Sequence, residues 1–311
     1  MILKRIFNPI KVVQYVRVEL LFSSTVTVLV YVLYQQNALP VVLPFSVAAI
    51  LGSALAIFLA FRNNSSYTRW WEARTLWGGI INSSRVLARL IITFTDSHAH
   101  QANYDKDRSE KFKREMVYRC IAWVHALRLH LRGQESWEEI QEFLPDQEFQ
   151  ALLVVNNKPN YLHLLLGRRV YEAMANGTLG GFDSFQMEGQ LLALANYQGN
   201  CERIKTTPLL RQYDYFTRLF LYVFVIALPL ALLGDFAKMG MPAMMIPVSL
   251  IIAFVFAVMG KVGEVNEDPF ENRITDVPLT ALCRTVERDL KELLDDHTIP
   301  EEIQAHKGYL L

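Results

Sequence analysis

From Leu20 to Phe61 the chain carries no charged residue and no histidine, an uninterrupted run of 42 residues. A single membrane-crossing helix needs about 20. Gln35, Gln36, Asn37 and Pro40 break the run near its middle, so it reads as two spans joined by a tight turn. The second half repeats the pattern. Leu219–Gly234 is uncharged over 16 residues, Asp235 and Lys238 follow, and Met239–Gly260 is uncharged over 22. Four spans are predicted, at about 18–36, 40–61, 215–234 and 241–260. Pro229 and Pro247 fall inside the last two. Membrane helices tolerate such prolines where neighbours re-satisfy the freed carbonyls.

The second span runs into Arg62, Asn63 and Asn64 and then Arg69-Trp70-Trp71-Glu72, which reads as a polar, tryptophan-rich junction where the apolar helix stops. Beyond it, 62–214 changes to an amphipathic, helical pattern. Leu76, Ile80, Val86, Leu87, Leu90 and Ile91 recur at helical spacing within 69–94. A second helix is predicted over 107–131, with Phe112, Met116, Ile121, Val124 and Leu127 broadly on one side. A third covers 183–206, with Asp183 or Ser184 as its N-cap. Gly133, Pro145, Pro159 and the glycines from 177 to 181 punctuate these helices. No run alternates as a strand would. After the fourth span, Pro269 and Pro278 lead into a charged amphipathic helix over about 279–296. The division expected is therefore 1–61 (first helix pair), 62–214 (helical cytosolic region), 215–260 (second pair) and 261–311 (C-terminal segment).

Charge placement sets orientation. Lys4, Arg5, Lys11 and Arg17 precede the first span, and Arg62, Arg69 and Arg74 follow the second. Arg203, Lys205, Arg211 and Arg218 precede the third, and Lys261 follows the fourth. The turns inside each pair hold only Asp235 and Lys238. By the positive-inside rule both termini and the middle region are cytosolic, which in a bacterium means an inner-membrane protein. The N-terminus reads as a retained anchor, with no small-residue cleavage site after a short apolar core. The sequons at Asn63, Asn64, Asn82 and Asn176 then lie on the cytosolic side. Net charge is zero, with 31 basic and 31 acidic residues, so nothing recruits nucleic acid. Mean hydropathy is only +0.17 because the extramembrane half is highly charged. Cys120, Cys201 and Cys283 are three, widely separated, and read as reduced thiols.

Catalytic chemistry is sparse. Asp96, His98 and His100 have no carboxylate–histidine helix motif and read as solvated loop residues. His125 and His130, five apart, do not share a helical face and read as surface or packing residues. No phosphate-binding glycine loop, nucleophile elbow or paired-cysteine motif is present. The chain is not expected to be an enzyme or to carry a metal or other cofactor. The second span is more informative. Ser53, Ile57 and Phe61 are spaced by four and share one face, while Ala54, Ala56 and Ala60 allow close helix contact. A ring of such helices would stack constrictions of Ser, Ile and Phe, and apolar rings gate by dewetting. Lipid-facing or packing positions are the plain alternative.

The stretch from Phe61 through Arg62-Asn63-Asn64-Ser65-Ser66-Tyr67-Thr68-Arg69-Trp70-Trp71-Glu72 to Gly78 resembles the junction after the second span of bestrophins, especially bacterial ones. Gly199-Asn200-Cys201-Glu202-Arg203-Ile204 with Thr207-Pro208-Leu209, and Glu267-Asp268-Pro269-Phe270, resemble the family before the third span and after the fourth. The resemblance covers nearly the whole chain. It implies a homopentamer whose five second spans line one axial pore, with Ser53, Ile57 and Phe61 at the narrow neck. Ser53 departs from the family's usual three apolar residues. The resemblance also implies a cytosolic aperture at the residue 16 before Cys201, which is Phe185, although Ser184 replaces the proline found there in the family. The dense acidic run that helps eukaryotic relatives hold calcium is missing. Glu271-Asn272-Arg273-Ile274-Thr275-Asp276 stands in its place, so calcium gating is not expected, and Asn272 and Asp276 read as turn or cap residues.

The fold class expected is thus an all-α membrane protein with four transmembrane helices and a helical cytosolic region. The function expected is a channel in the lipid bilayer for small monovalent ions, with anions ahead of cations on family grounds. A membrane-embedded enzyme or transporter, or a non-conducting scaffold, are the competing classes. The spans lack the internal ionisable residues that mark proton or substrate paths.

Overall fold

The computed structural model describes residues 1–4, 9–38, 43–100, 102 and 104–310. Arg5, Pro40 and the side chain of His98 lie outside the described residues. The described chain is all-α. Its helices are α1 (Pro9–Tyr15), α2 (Arg17–Gln35), α3 (Phe45–Thr95), α4 (Lys106–Arg132), α5 (Asp146–Leu153), α6 (Lys158–Ala175), α7 (Gly181–Thr206), α8 (Arg211–Lys238), α9 (Met245–Asn266) and α10 (Leu279–Leu293). The β-type pairing among the described residues consists of isolated bridges, Ile2 with Tyr309 and His306 with Tyr309. Four segments are long and apolar enough to cross a membrane, and they contain α2, the first part of α3, α8 and α9.

One compact unit comprises Lys4–Trp70 and Pro208–Asp268. Its packing centres on an apolar cluster. Leu55 and Leu59 of α3 bury against Leu221, Phe224, Val225 and Leu228 of α8 and Ala253 of α9. Phe224 also packs on Phe256 with ring centroids 4.8 Å apart. Gly52 matters here because a Cβ would sit 3.0 Å from the Phe224 ring. Pro229 lies inside α8, where it removes one backbone hydrogen bond, whereas Pro247 falls in the first turn of α9, where no intrahelical bond is lost.

The other unit comprises Met1–Leu3, Trp71–Thr207 and Pro269–Leu311. Its centre is α4, which buries Phe112, Met116, Ile121, Trp123, Val124 and Leu127. Asp105 caps α4 by accepting a bond from the Arg108 N–H at 3.2 Å. Gly133 ends it in the left-handed conformation, φ 62°. Ion pairs accompany the apolar packing: the buried Arg119 grips both Glu148 oxygens, at 2.9 and 2.5 Å, and Arg85 reaches Asp289 at the surface.

Three expectations need correction. The apolar helix does not stop at Arg62, because α3 runs unbroken for 51 residues through Arg69-Trp70-Trp71-Glu72. No proline interrupts 45–95, and the polar residues of the junction are accommodated inside the helix. The Ser65, Thr68 and Thr75 hydroxyls each donate to the carbonyl four residues back, at 2.9–3.0 Å. The second correction concerns α7, which starts at Gly181, ahead of both residues expected as its N-cap. Asp183 instead lies in the first turn, where its carboxylate accepts from the Gly180 N–H at 3.0 Å. That arrangement suits the exposed N–H groups and positive end of the helix. The C-terminal helix is also shorter than expected, closing at Leu293.

Candidate functional site

Ser53, Ile57 and Phe61 lie on one open face of α3. All three are exposed, Ile57 by 57% and Phe61 by 64%. Ala48, Leu55, Leu59, Arg62 and Ser66 point the other way and are buried within the helix's own unit. Nothing polar explains the exposure of Ile57 and Phe61. An open apolar face on a membrane helix meets lipid, another protomer or a dewetted lumen. The Ser53 hydroxyl donates to the Ala49 carbonyl at 2.8 Å. With its hydrogen so engaged, it turns oxygen lone pairs outward. A groove of about 400 Å³ adjoins Ser53, floored by Gly52 and Ala56 and walled by Phe45, Phe224 and Phe256.

Immediately past Phe61 the opposite face of α3 is fastened to α8 and α9. Arg62 is 5% exposed. Its guanidinium lies 2.5 Å from an Asp214 oxygen on α8 and 3.6 Å from Glu267 just beyond α9, and it donates to the Gly260 carbonyl at 3.3 Å. Asn63 donates to the neighbouring Met259 carbonyl at 3.0 Å. A Cβ at Gly263 would collide with Asn63 Oδ1, so glycine is required for this close approach. Arg218 extends the cluster to Asp214 at 3.1 Å and Glu264 at 3.6 Å. Burial is the largest influence on Glu267 and pushes its carboxyl above the ordinary carboxylate value; Asp268 adds to that shift and Arg62 opposes it. Sequence reasoning missed this cluster. Arg62 and Asp214 are far apart along the chain, and the one available signal was an arginine directly abutting an apolar span.

Phe185 belongs to the other unit, on the first turns of α7, where it is 73% exposed. Phe182 is equally open, whereas Met187 is fully buried and unable to line any passage. Toward the other end of α7, Glu202 accepts bonds from Asn157 at 3.0 Å and Gln198 at 2.9 Å, and Arg203 pairs with Glu72 at 2.6 Å. Asp276 is buried, accepts from the Arg273 N–H at 3.0 Å and closes a turn ahead of α10.

His125 occupies an ordinary packing position, and His100 is exposed. His125 is buried, stacks on Phe143 with centroids 5.9 Å apart, and lies 3.3 Å from Glu287. Asp96 is held by Lys113 at 2.6 Å. Among the described residues no three His, Cys, Asp or Glu side chains are grouped to hold a metal ion. The three cysteines are free and buried.

Comparison with known proteins adds to this geometry. The sequence profile described as Bacterial/Fungal Bestrophin protein matches residues 5–292. The voltage-dependent anion channel-forming protein YneE of Escherichia coli K12 is 34% identical over 268 residues, covering 86% of this chain and 82% of that protein. The voltage-dependent anion channel-forming protein RSc3414 of Ralstonia nicotianae is 31% identical over 265 residues, covering 84% and 80%. The crystal structure of a bacterial bestrophin homologue from Klebsiella pneumoniae matches with a TM-score of 0.78 at 29% identity, over 92% of this chain and 99% of that one.

Proposed function

Because this chain belongs to the bacterial and fungal bestrophin family, we propose that it forms a homopentameric ion channel whose five α3 helices line one axial pore. The observation that carries this reading is the open apolar face of α3, where Ile57 and Phe61 stand exposed away from the buried stripe of Ala48, Leu55 and Leu59. Five copies turned inward would stack a ring of serine hydroxyls and two apolar rings. Apolar rings exclude water below a threshold width and so control conduction without a charged gate. Phe185 is the proposed cytosolic aperture, where five aromatic side chains would sieve ions by size. The membrane is the bacterial inner membrane, with both termini cytosolic, on the asymmetry of lysine and arginine around the spans.

The permeant species proposed are small monovalent anions, on the names of the relatives. A monovalent cation is the second reading, favoured by one specific observation. The hydroxyls of Ser53 and Ser65 on the exposed side of α3 donate inward to backbone carbonyls and so offer acceptors outward. Purified protein in liposomes under a potassium chloride gradient separates the two by the sign of the reversal potential. Ile57→Ala with Phe61→Ala is expected to raise conductance in intact oligomers. Unchanged current through such oligomers would remove this face from the pore.

A further inference from the structure

The exposed neck residues and the buried ionic cluster are consecutive in sequence. Phe61 is open, Arg62 and Asn63 are anchored, and successive helical positions differ by about 100°. Whatever holds Arg62 and Asn63 therefore sets the direction in which Phe61 points. The anchors come from both other helices of the packed face: Asp214 on α8, and the Met259 and Gly260 carbonyls on α9, with Gly263 shaped to admit the Asn63 amide. A buried arginine has to be paired, so rotating α3 would strand its charge.

We propose that Arg62 and Asn63 are positioning residues for the neck, forming a lock that fixes the rotation of α3, and that Glu267 is the arm of this lock that releases on acidification. The inference rests on the neck reading given above. Arg62 has two carboxylate partners at unequal distance, Asp214 at 2.5 Å and Glu267 at 3.6 Å. The groups facing Glu267 are Arg62 from α3, Asp214 and Arg211 from α8, and the adjacent Asp268. Glu264, a turn earlier on α9, is occupied by Lys261 at 2.7 Å and Arg218 at 3.6 Å. Burial and Asp268 favour the protonated form of Glu267, so it takes up a proton at a higher pH than a free glutamate. Once neutral, it leaves Asp214 as the one carboxylate on Arg62, and the hold on the α9 side falls to the Gly260 and Met259 carbonyls. The neck then loses its fixed apolar geometry, and conduction rises on the acid side.

The test is ion flux through purified oligomers in liposomes, buffered alike on both sides and scanned from neutral to acid pH. Wild type is expected to show flux rising with acidification. Glu267→Gln, which mimics the protonated arm, is expected to give raised flux at neutral pH and to lose the acid rise. Gly263→Ala, which obstructs the Asn63 contact, is expected to raise neutral flux independently. A purely structural role for Glu267 would leave the pH profile in place. An acid rise retained in Glu267→Gln, or its absence from wild type, overturns the proposal. Ile57→Ala is run in parallel: if it raises flux while Glu267→Gln behaves as wild type, the lock fails and the neck stands. If Ile57→Ala changes nothing in intact oligomers, the neck reading itself fails.

Discussion

The first part of α3, up to Trp70, and α4 reverse the usual relation between polarity and burial, each in its own unit. In the first part of α3, Ile57 and Phe61 are open while Arg62 is buried. In α4, Lys113, Arg119 and Arg128 are buried among the core residues. The causes differ. In α3 the apolar side chains need no covering from lipid, so exposure there carries no penalty of the kind it has in water. In α4 each buried charge has an acid at hand: Asp96 and Glu110 for Lys113, Glu148 for Arg119, and Glu139 for Arg128. Burial of a charge is tolerable only with such a partner. Apolar exposure in α3 thus marks a face open to lipid, to another protomer or to the proposed pore, whereas charge burial in α4 marks a specified interior.

The largest effect should come from breaking the second half of that contrast. Glu287 is buried against α4, facing His125 at 3.3 Å, and holds Lys291 at 3.0 Å. Glu287→Ala strands a buried lysine, and thermal unfolding in detergent should reveal a loss of about 3–5 kcal/mol. Burial alone would raise the Glu287 carboxyl, but the hydrogen bonds to His125 and Lys291 outweigh it and hold it below the ordinary value of 4.5. A carboxyl depressed in the folded state stabilises above its unfolded value and loses that contribution as pH falls through its folded one. The gap between wild type and Glu287→Ala should therefore be full at neutral pH and narrow as pH falls below about 4.5. A constant gap down to strong acid would contradict the pairing.

A smaller effect should sharpen the contrast within α3. Leu59 is fully buried, two residues from the exposed Ile57. Leu59→Ala should cost about 2 kcal/mol, the lower end for a buried leucine because lipid removes part of the transfer contribution. Ile57→Ala should cost well under about 1 kcal/mol and alter flux instead. Equal destabilisation would mean that Ile57 is packed as Leu59 is. The smallest effect on stability belongs to Phe185→Ala on α7, which should leave unfolding unchanged while shifting relative permeability to large ions. Permeability ratios that stay put would move the constriction elsewhere, with the exposed Phe182 next in line.

Much of this was legible in the residues, for identifiable reasons. The four spans stand out because charge is absent over long runs, a signal that needs no tertiary knowledge. The shared face of Ser53, Ile57 and Phe61 follows from helical spacing alone, but its openness does not, since Leu55 and Leu59 are equally apolar and buried. The continuity of α3 was hidden because asparagine, serine and threonine after Phe61 look like a helix end. Ser65 and Thr68 instead bond within the helix, and Asn63 reaches across to α9. The Arg62 lock was invisible because its partners, Asp214 and Glu267, are distant in sequence and nothing local pairs them. The start of α7 was misread because Asp183 serves the helix from inside its first turn, and Gly180 supplies the cap position.

Cysteine accessibility tests the central claim, that the open face of α3 lines a pore, most directly. Cys120, Cys201 and Cys283 are buried, and burial raises the Cys120 and Cys283 thiols to about 12, which leaves an inert background. Ile57→Cys and Leu59→Cys channels are recorded in a planar bilayer before and after a membrane-impermeant, water-soluble thiol reagent. The account predicts that current through Ile57→Cys is blocked while Leu59→Cys is unaffected. Block at Leu59→Cys with none at Ile57→Cys, or an unaltered current in both, would contradict it.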